Sequence, residues 1–193
     1  MPSIDFKGKQ YIYSHHLSVP FRELKIDAEK SLPRAGIASL DDNLIIQGDN
    51  LHALKALLPR YANKVKCIYI DPPYNTGNEG WCYNDNLNNP LMKEWLKKNA
   101  NPVDQEDMER HDKWLCMMWP RLSLLKELLS PSGVIFISIG DDEVHRLRFM
   151  LDELYGTNCF VGCFVWKRRA SSAMADYMVS TDHEYVLCYA KNQ

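Results

Sequence analysis

A chain of 193 residues with 46% hydrophobic and 11% aromatic content is one domain's worth of sequence, with material for a real core. A formal net charge of −2 excludes a global electrostatic pull on nucleic acid, so any such contact must come from a local basic patch. No apolar run approaches the roughly 18 residues that a membrane span needs, and six cysteines without a Cys-x-x-Cys pair argue against a thiolate zinc site.

The first 43 residues are mixed in character and read as an N-terminal extension, with short extended pieces expected at Phe6–Lys9 and Tyr11–Tyr13. His15 and His16 are adjacent, point differently on any regular element, and have no carboxylate or thiol nearby in sequence; no metal site is expected. The N-terminus has no basic-then-apolar leader pattern, and Cys67, Cys116 and Cys188 sit in apolar surroundings, so the thiols read as reduced core residues of a cytoplasmic protein.

Leu44-Ile45-Ile46 reads as a short strand running into Gln47-Gly48-Asp49-Asn50, after which Leu51, Leu54, Leu57 and Leu58 recur at helical spacing up to Pro59. Strand, Gly-Asp turn and helix form a ligand-binding arrangement at the carboxyl edge of a sheet. Asp49 there can accept from an amino group of a ligand, and Asp49 or Asn50 can cap the helix.

Lys66-Cys67-Ile68-Tyr69-Ile70 is strand-like and ends in Asp71-Pro72-Pro73-Tyr74. Two consecutive prolines cannot donate ladder hydrogen bonds, so the strand stops. Each residue before a proline is pushed out of the α region, so the turn is stiff and extended. A carboxylate, two backbone carbonyls and an aromatic ring are thereby presented at a strand's carboxyl end. Such a turn suits amino-group methylation. The Asp71 side chain and Pro72 carbonyl can accept from a conjugated exocyclic amine, draw its nitrogen toward sp³ and free the lone pair, while Tyr74 stacks on the base.

From Asn75 to Pro90 the chain is rich in Asn and Gly and carries Trp81 and Tyr83, a composition expected of a flap over a site. Leu91–Lys98 reads as a short basic helix, and Asp104 to Leu129 as a longer one. In the longer helix Trp114, Met118, Leu122, Leu125 and Leu129 form an apolar stripe, His111, Asp112 and Lys113 face solvent, and Pro120 kinks or divides the helix near Trp119. Ser130–Gly133 reads as a turn, and Val134–Ile139 as a central strand covered on both faces. Asp141 or Asp142 is expected to cap the next helix, whose buried face is Val144, Leu147, Leu151 and Leu154 and which stops at Gly156. Phe160–Trp166 and Glu184–Tyr189 complete the strands. The alternation of strand and helix predicts an α/β fold with a mostly parallel sheet. The one dense basic patch is Lys167-Arg168-Arg169, and Trp166 beside it reads as core or as a base-stacking residue.

The string Ile70-Asp71-Pro72-Pro73-Tyr74-Asn75-Thr76-Gly77-Asn78 resembles the catalytic motif of amino-methylating DNA methyltransferases, and in its length resembles the modification subunit of type III restriction–modification systems. Asp at the first motif position resembles the adenine-N6 group; the cytosine-N4 group usually has Ser. The resemblance covers roughly residues 4 to 191. It implies the Rossmann-like fold of S-adenosylmethionine-dependent methyltransferases with a terminal antiparallel hairpin. It also implies Asp71, Pro72, Pro73 and Tyr74 as catalytic; Asp49, Asn50, Asp71, Asn75 and Thr76 at the cofactor; and Lys167, Arg168 and Arg169 on DNA phosphates. Double-stranded DNA, a restriction (nuclease and helicase) subunit and a second copy of the chain are the implied partners. Nothing matches the family's Phe-x-Gly-x-Gly turn, so residues 44–193 are expected to be a partial catalytic domain. The sheet is expected to have a gap between Leu44–Ile46 and Cys67–Ile70, and the latter strand an open edge that dimerisation or the N-terminal segment covers. Methylation of cytosine N4 or of RNA, and a non-catalytic role in DNA binding or assembly, are the alternatives.

Overall fold

The computed structural model describes residues 2–32, 36–83, 85, 94, 109–168 and 182–193. The organising element is a four-stranded mixed sheet of β1 (Val65–Ile70), β2 (Leu129–Ile139), β3 (Phe160–Lys167) and β4 (His183–Ala190), in the order β1-β2-β4-β3. β1 and β2 are parallel, as a crossover connection requires. β4 runs antiparallel to both β2 and β3, the hairpin expected of the last two strands.

Helix α4 (Arg110–Leu128) lies in the β1–β2 crossover, and α5 (Val144–Tyr155) follows β2. The expected stripe of α4 is buried, but so are Leu115, Cys116, Trp119, Leu124 and Leu128. α4 is enclosed because α3 (Asn50–Tyr61) and the N-terminal segment pack on its outer side, where a second cluster joins Leu51 and Leu58 to Leu124 and Leu128. Lys113, expected in solvent, is only 2% exposed. The helix is not divided at Trp119: it continues through Pro120, losing one N–H and keeping its packing. The expected start at Asp104 and the helix Leu91–Lys98 lie outside the described residues.

Four further expectations fail for physical reasons. Residues 6–13 are not extended: Gly8 takes φ 94°, Lys9–Ile12 (α1) and His15–Ser18 (α2) are short helices, and Ile12 is fully buried with Phe6 in the main core. α3 runs two residues past Pro59. Ser130–Gly133 belongs to β2, bulging out where the register passes from Val65–Leu129 to Cys67–Val134. Neither Asp141 nor Asp142 caps α5; the N-cap is Glu143, without a side-chain bond.

The Leu44–Ile46 segment forms no strand, and Ile45 is fully exposed. Among the described residues β1 is an edge strand with no partner on its outer side, and Leu44–Ile46 does not pair with it. Among the described residues the two faces of the sheet are also unequally covered. Ile135, Ile137 and Ile139 are completely buried, whereas Tyr69, Phe164 and Trp166, which the register places on the opposite face, are more than half exposed. Cys67 is exposed at the same edge, while Cys116 and Cys188 are buried; all six thiols are free. No described helix is long and apolar enough to cross a membrane.

Candidate active site

β1 delivers Asp71 to the carboxyl edge of the sheet, where its side chain is exposed. Pro72, Pro73 and Tyr74 are partly buried, and the turn is held from below. The indole Nε1 of Trp114, on α4, donates to the Pro73 carbonyl at 2.7 Å. The ring of Tyr74 lies against Gly140 at the end of β2, where an added Cβ would stand 3.1 Å from Tyr74 Cδ2, close enough to press on the ring. The Tyr74 phenol is held well above its ordinary pKa, first by burial, then by the neighbouring carboxylates of Asp71 and Glu184. It is a neutral donor and a flat apolar surface at physiological pH.

Behind the turn, Asn75 adopts φ 62° and is fully buried. Its Nδ2 donates to Glu143 Oε1 at 2.5 Å, and the same oxygen bonds to His111 Nδ1. The Asn75 side chain, expected at a cofactor, is thus turned into the protein. Thr76 closes a small local turn: its N–H donates to Glu79 Oε1 at 3.1 Å, and its Oγ1 accepts from the Asn78 N–H at 3.4 Å.

Asp49 caps α3, its Oδ1 accepting from the N–H groups of Leu51 and His52 at 2.9 and 3.2 Å. Both Asp49 and Asn50 are exposed, and nothing lies within 4 Å of where a Cβ at Gly48 would stand. Asn50 Oδ1 accepts from Arg121 Nε at 2.7 Å. Arg121 also grips Asp85, within the Asn-rich stretch, so one guanidinium connects the start of α3 to the segment after the catalytic turn. Of the expected flap, residues 75–83 and 85 are described; Trp81 and Tyr83 pack on the main core, and their Nε1 and hydroxyl are buried without a hydrogen-bond partner.

On the basic patch, Lys167 and Arg168 are exposed at the end of β3, and the Arg168 guanidinium stands 3.4 Å from Glu184 Oε2. Arg169 lies outside the described residues. Trp166, read as core by strand statistics, is 62% exposed because no described element covers that face. Among the described residues there is no group of ligands suited to a metal ion.

Trp114, Glu143, Arg121, Asp85 and Glu184 were not foreseen from sequence. Each is remote in sequence from the group it holds, and only the fold brings them together.

Residues 65–193, from the first residue of β1 onward, match the N6/N4 methyltransferase family, described as DNA methylase. The chain belongs to the DNA methylase family. It is 38% identical over 162 residues to the Mod subunit of the type III restriction–modification enzyme EcoP15I of Escherichia coli, covering 78% of this chain and 24% of that one. It is 36% identical over 194 residues to the StyLTI Mod subunit of Salmonella typhimurium, covering 97% of this chain and 29% of the relative. The chain therefore spans about a quarter of the length of these relatives. Among solved structures, the M1.HpyAVI–SAM complex is similar at 17% identity and a TM-score of 0.43, covering 76% of this chain and 54% of that one. The PvuII cytosine-N4-specific DNA methyltransferase is similar at 14% identity and a TM-score of 0.44, covering 72% of this chain and 47% of that one.

Proposed function

We propose that this DNA methylase chain carries the amine-activating turn of an adenine-N6 methyltransferase, part of a type III restriction–modification system, that methylates duplex DNA with S-adenosylmethionine. The observation that carries the reading is the pinned Asp71–Tyr74 turn with an exposed carboxylate at the carboxyl end of β1. Asp rather than Ser at position 71 favours adenine over cytosine.

The bound cofactor supplies a methyl group on a sulfonium. The groups present suit it in kind: Asp49 and Asp71 are exposed acceptors for its amino groups, Asn50 and Thr76 are close in sequence to them, and the open space at Gly48 lets a ligand approach the backbone. Asp71 and the Pro72 carbonyl accept from the target amine and hold its lone pair toward the methyl. Tyr74, neutral and flat against Gly140, stacks on the extruded base. Lys167, Arg168 and Arg169 neutralise phosphates beside it. The restriction subunit and a second copy of the chain are the expected partners, the free edge of β1 favouring such pairing, and the cytoplasm is the expected compartment.

The test is transfer of labelled methyl from S-adenosylmethionine to duplex DNA, followed by nucleoside analysis. N6-methyladenine in the wild-type product, lost with Asp71→Ala, supports the reading. N4-methylcytosine would overturn the base assignment. The free edge of β1 favours one second reading, a DNA-binding or assembly piece; DNA binding without transfer would support it.

A further inference from the structure

Glu143 is an acidic residue with no exposed surface, and nothing in the chemistry above uses it. It occupies the N-cap position of α5, where a short polar side chain ordinarily turns toward the first free N–H groups of the helix. Its carboxylate makes no such bond. It reaches instead under the catalytic turn, where Oε1 meets Asn75 Nδ2 at 2.5 Å and His111 Nδ1. Its Oε2 has no hydrogen-bond partner and stands 3.6 Å from Arg146 Nη1. A buried carboxylate is tolerated only when paired, so this arrangement binds Glu143 to Asn75 and His111 as a unit.

Asn75 directly follows Tyr74 and lies in the left-handed region, which Asn visits more readily than most side chains but which still needs support. Trp114 grips the turn two residues earlier, at the Pro73 carbonyl. The two anchors bracket Tyr74: Trp114 comes from α4, and Glu143 from the N-cap of α5.

We propose that Glu143 is a positioning residue: through Asn75 it fixes the direction in which Asp71, the Pro72 carbonyl and the Tyr74 ring are presented. The proposal rests on the catalytic reading of that turn, and deepens it by naming what preorganises it.

The test uses tryptophan labelled at the indole nitrogen in the wild-type chain and in Glu143→Ala, Glu143→Gln and Asn75→Gly. Trp114 donates to Pro73 of the turn, and Trp119 donates at 3.2 Å to Tyr13, far from it in the chain; the second indole is the internal control. Glu143→Ala should speed solvent exchange of the Trp114 N–H by about tenfold or more relative to Trp119. Glu143→Gln keeps an acceptor for Asn75 and should restore most of the protection. Asn75→Gly accepts the left-handed backbone without strain but removes the amide, and should match Glu143→Ala. Equal acceleration of both indoles, no acceleration of either, or full protection in Asn75→Gly would each overturn the proposal.

In methyl-transfer kinetics Glu143→Ala should lower kcat while changing KM for the cofactor by about twofold or less; an effect confined to KM would count against positioning. If the wild-type protein transfers no methyl, the catalytic reading fails, and the indole ratio still decides whether Glu143 holds the turn.

Discussion

Arg121 and Asp85 meet fork to fork, Nη1 on Oδ2 at 2.7 Å and Nη2 on Oδ1 at 2.8 Å, with the Asp85 side chain 2% and the Arg121 side chain 11% exposed. Arg121 also donates to the Met117 carbonyl and Asn50 Oδ1. Removing one partner leaves the other charge buried and uncompensated. Asp85→Ala should therefore cost about 3–5 kcal/mol in urea unfolding, whereas Arg121→Met combined with Asp85→Leu should cost far less. Equal losses from the single and double variants would show that packing, not charge, holds this junction.

Asp71 is exposed and touches little of the core. Asp71→Ala should leave the melting curve within about 0.5 kcal/mol of wild type and reduce methyl transfer by about 10²-fold or more. A variant that unfolds, or one that still turns over, would contradict the role assigned to this carboxylate.

Trp114→Phe keeps most of the apolar bulk of a fully buried ring and deletes one N–H. The Pro73 carbonyl then loses its donor, so a loss of about 1–3 kcal/mol is expected, read as a lower urea midpoint at unchanged slope. A fall in turnover larger than the stability loss explains would show the turn itself shifting.

His15 and His16 both have lowered pKa values, with burial as the first cause, and His16 Nδ1 is buried without a hydrogen-bond partner. Folding favours their neutral forms, so the unfolded chain binds protons more tightly. Their stabilising contribution is present above the unfolded value near 6.5 and is lost as pH falls through and below it. Denaturation midpoints measured from pH 7.5 to 5 should drop, and the drop should shrink in His15→Gln combined with His16→Gln.

Lys167→Ala combined with Arg168→Ala should weaken DNA binding across sequences and reduce the slope of log affinity against log salt by about 2. An unchanged slope would move the phosphate contacts elsewhere.

The parts of this structure that could be read in advance are those governed by local rules. Two prolines end β1 whatever surrounds it, the four-and-three spacing from Trp114 to Leu125 gives a helix, and Gly156 at φ 100° ends α5. What could not be read is set by neighbours remote in sequence. Leu44–Ile46 has strand composition but pairs with no described strand. Lys113 sits where periodicity points to water, yet the packing around α4 buries it. In the site, Asp71 and Tyr74 were legible as a motif, but the residues holding them were not: Trp114 follows the turn by 41 positions, and Glu143 follows Asn75 by 68. Asp49 reads from sequence as a ligand contact or a helix cap; its Oδ1 caps α3, and its exposed side chain keeps a second oxygen.

The unequal cover that the described elements give the two faces of the sheet has a calorimetric signature. Heat-capacity change and denaturant slope both scale with the surface that unfolding newly exposes. Tyr69 at 62%, Phe164 at 53% and Trp166 at 62% already meet water in the folded chain, so their rings add little to either quantity. For its length this chain should unfold with a shallower slope and a flatter stability curve than a domain whose sheet is covered on both faces, and a partner that covers this face should steepen both.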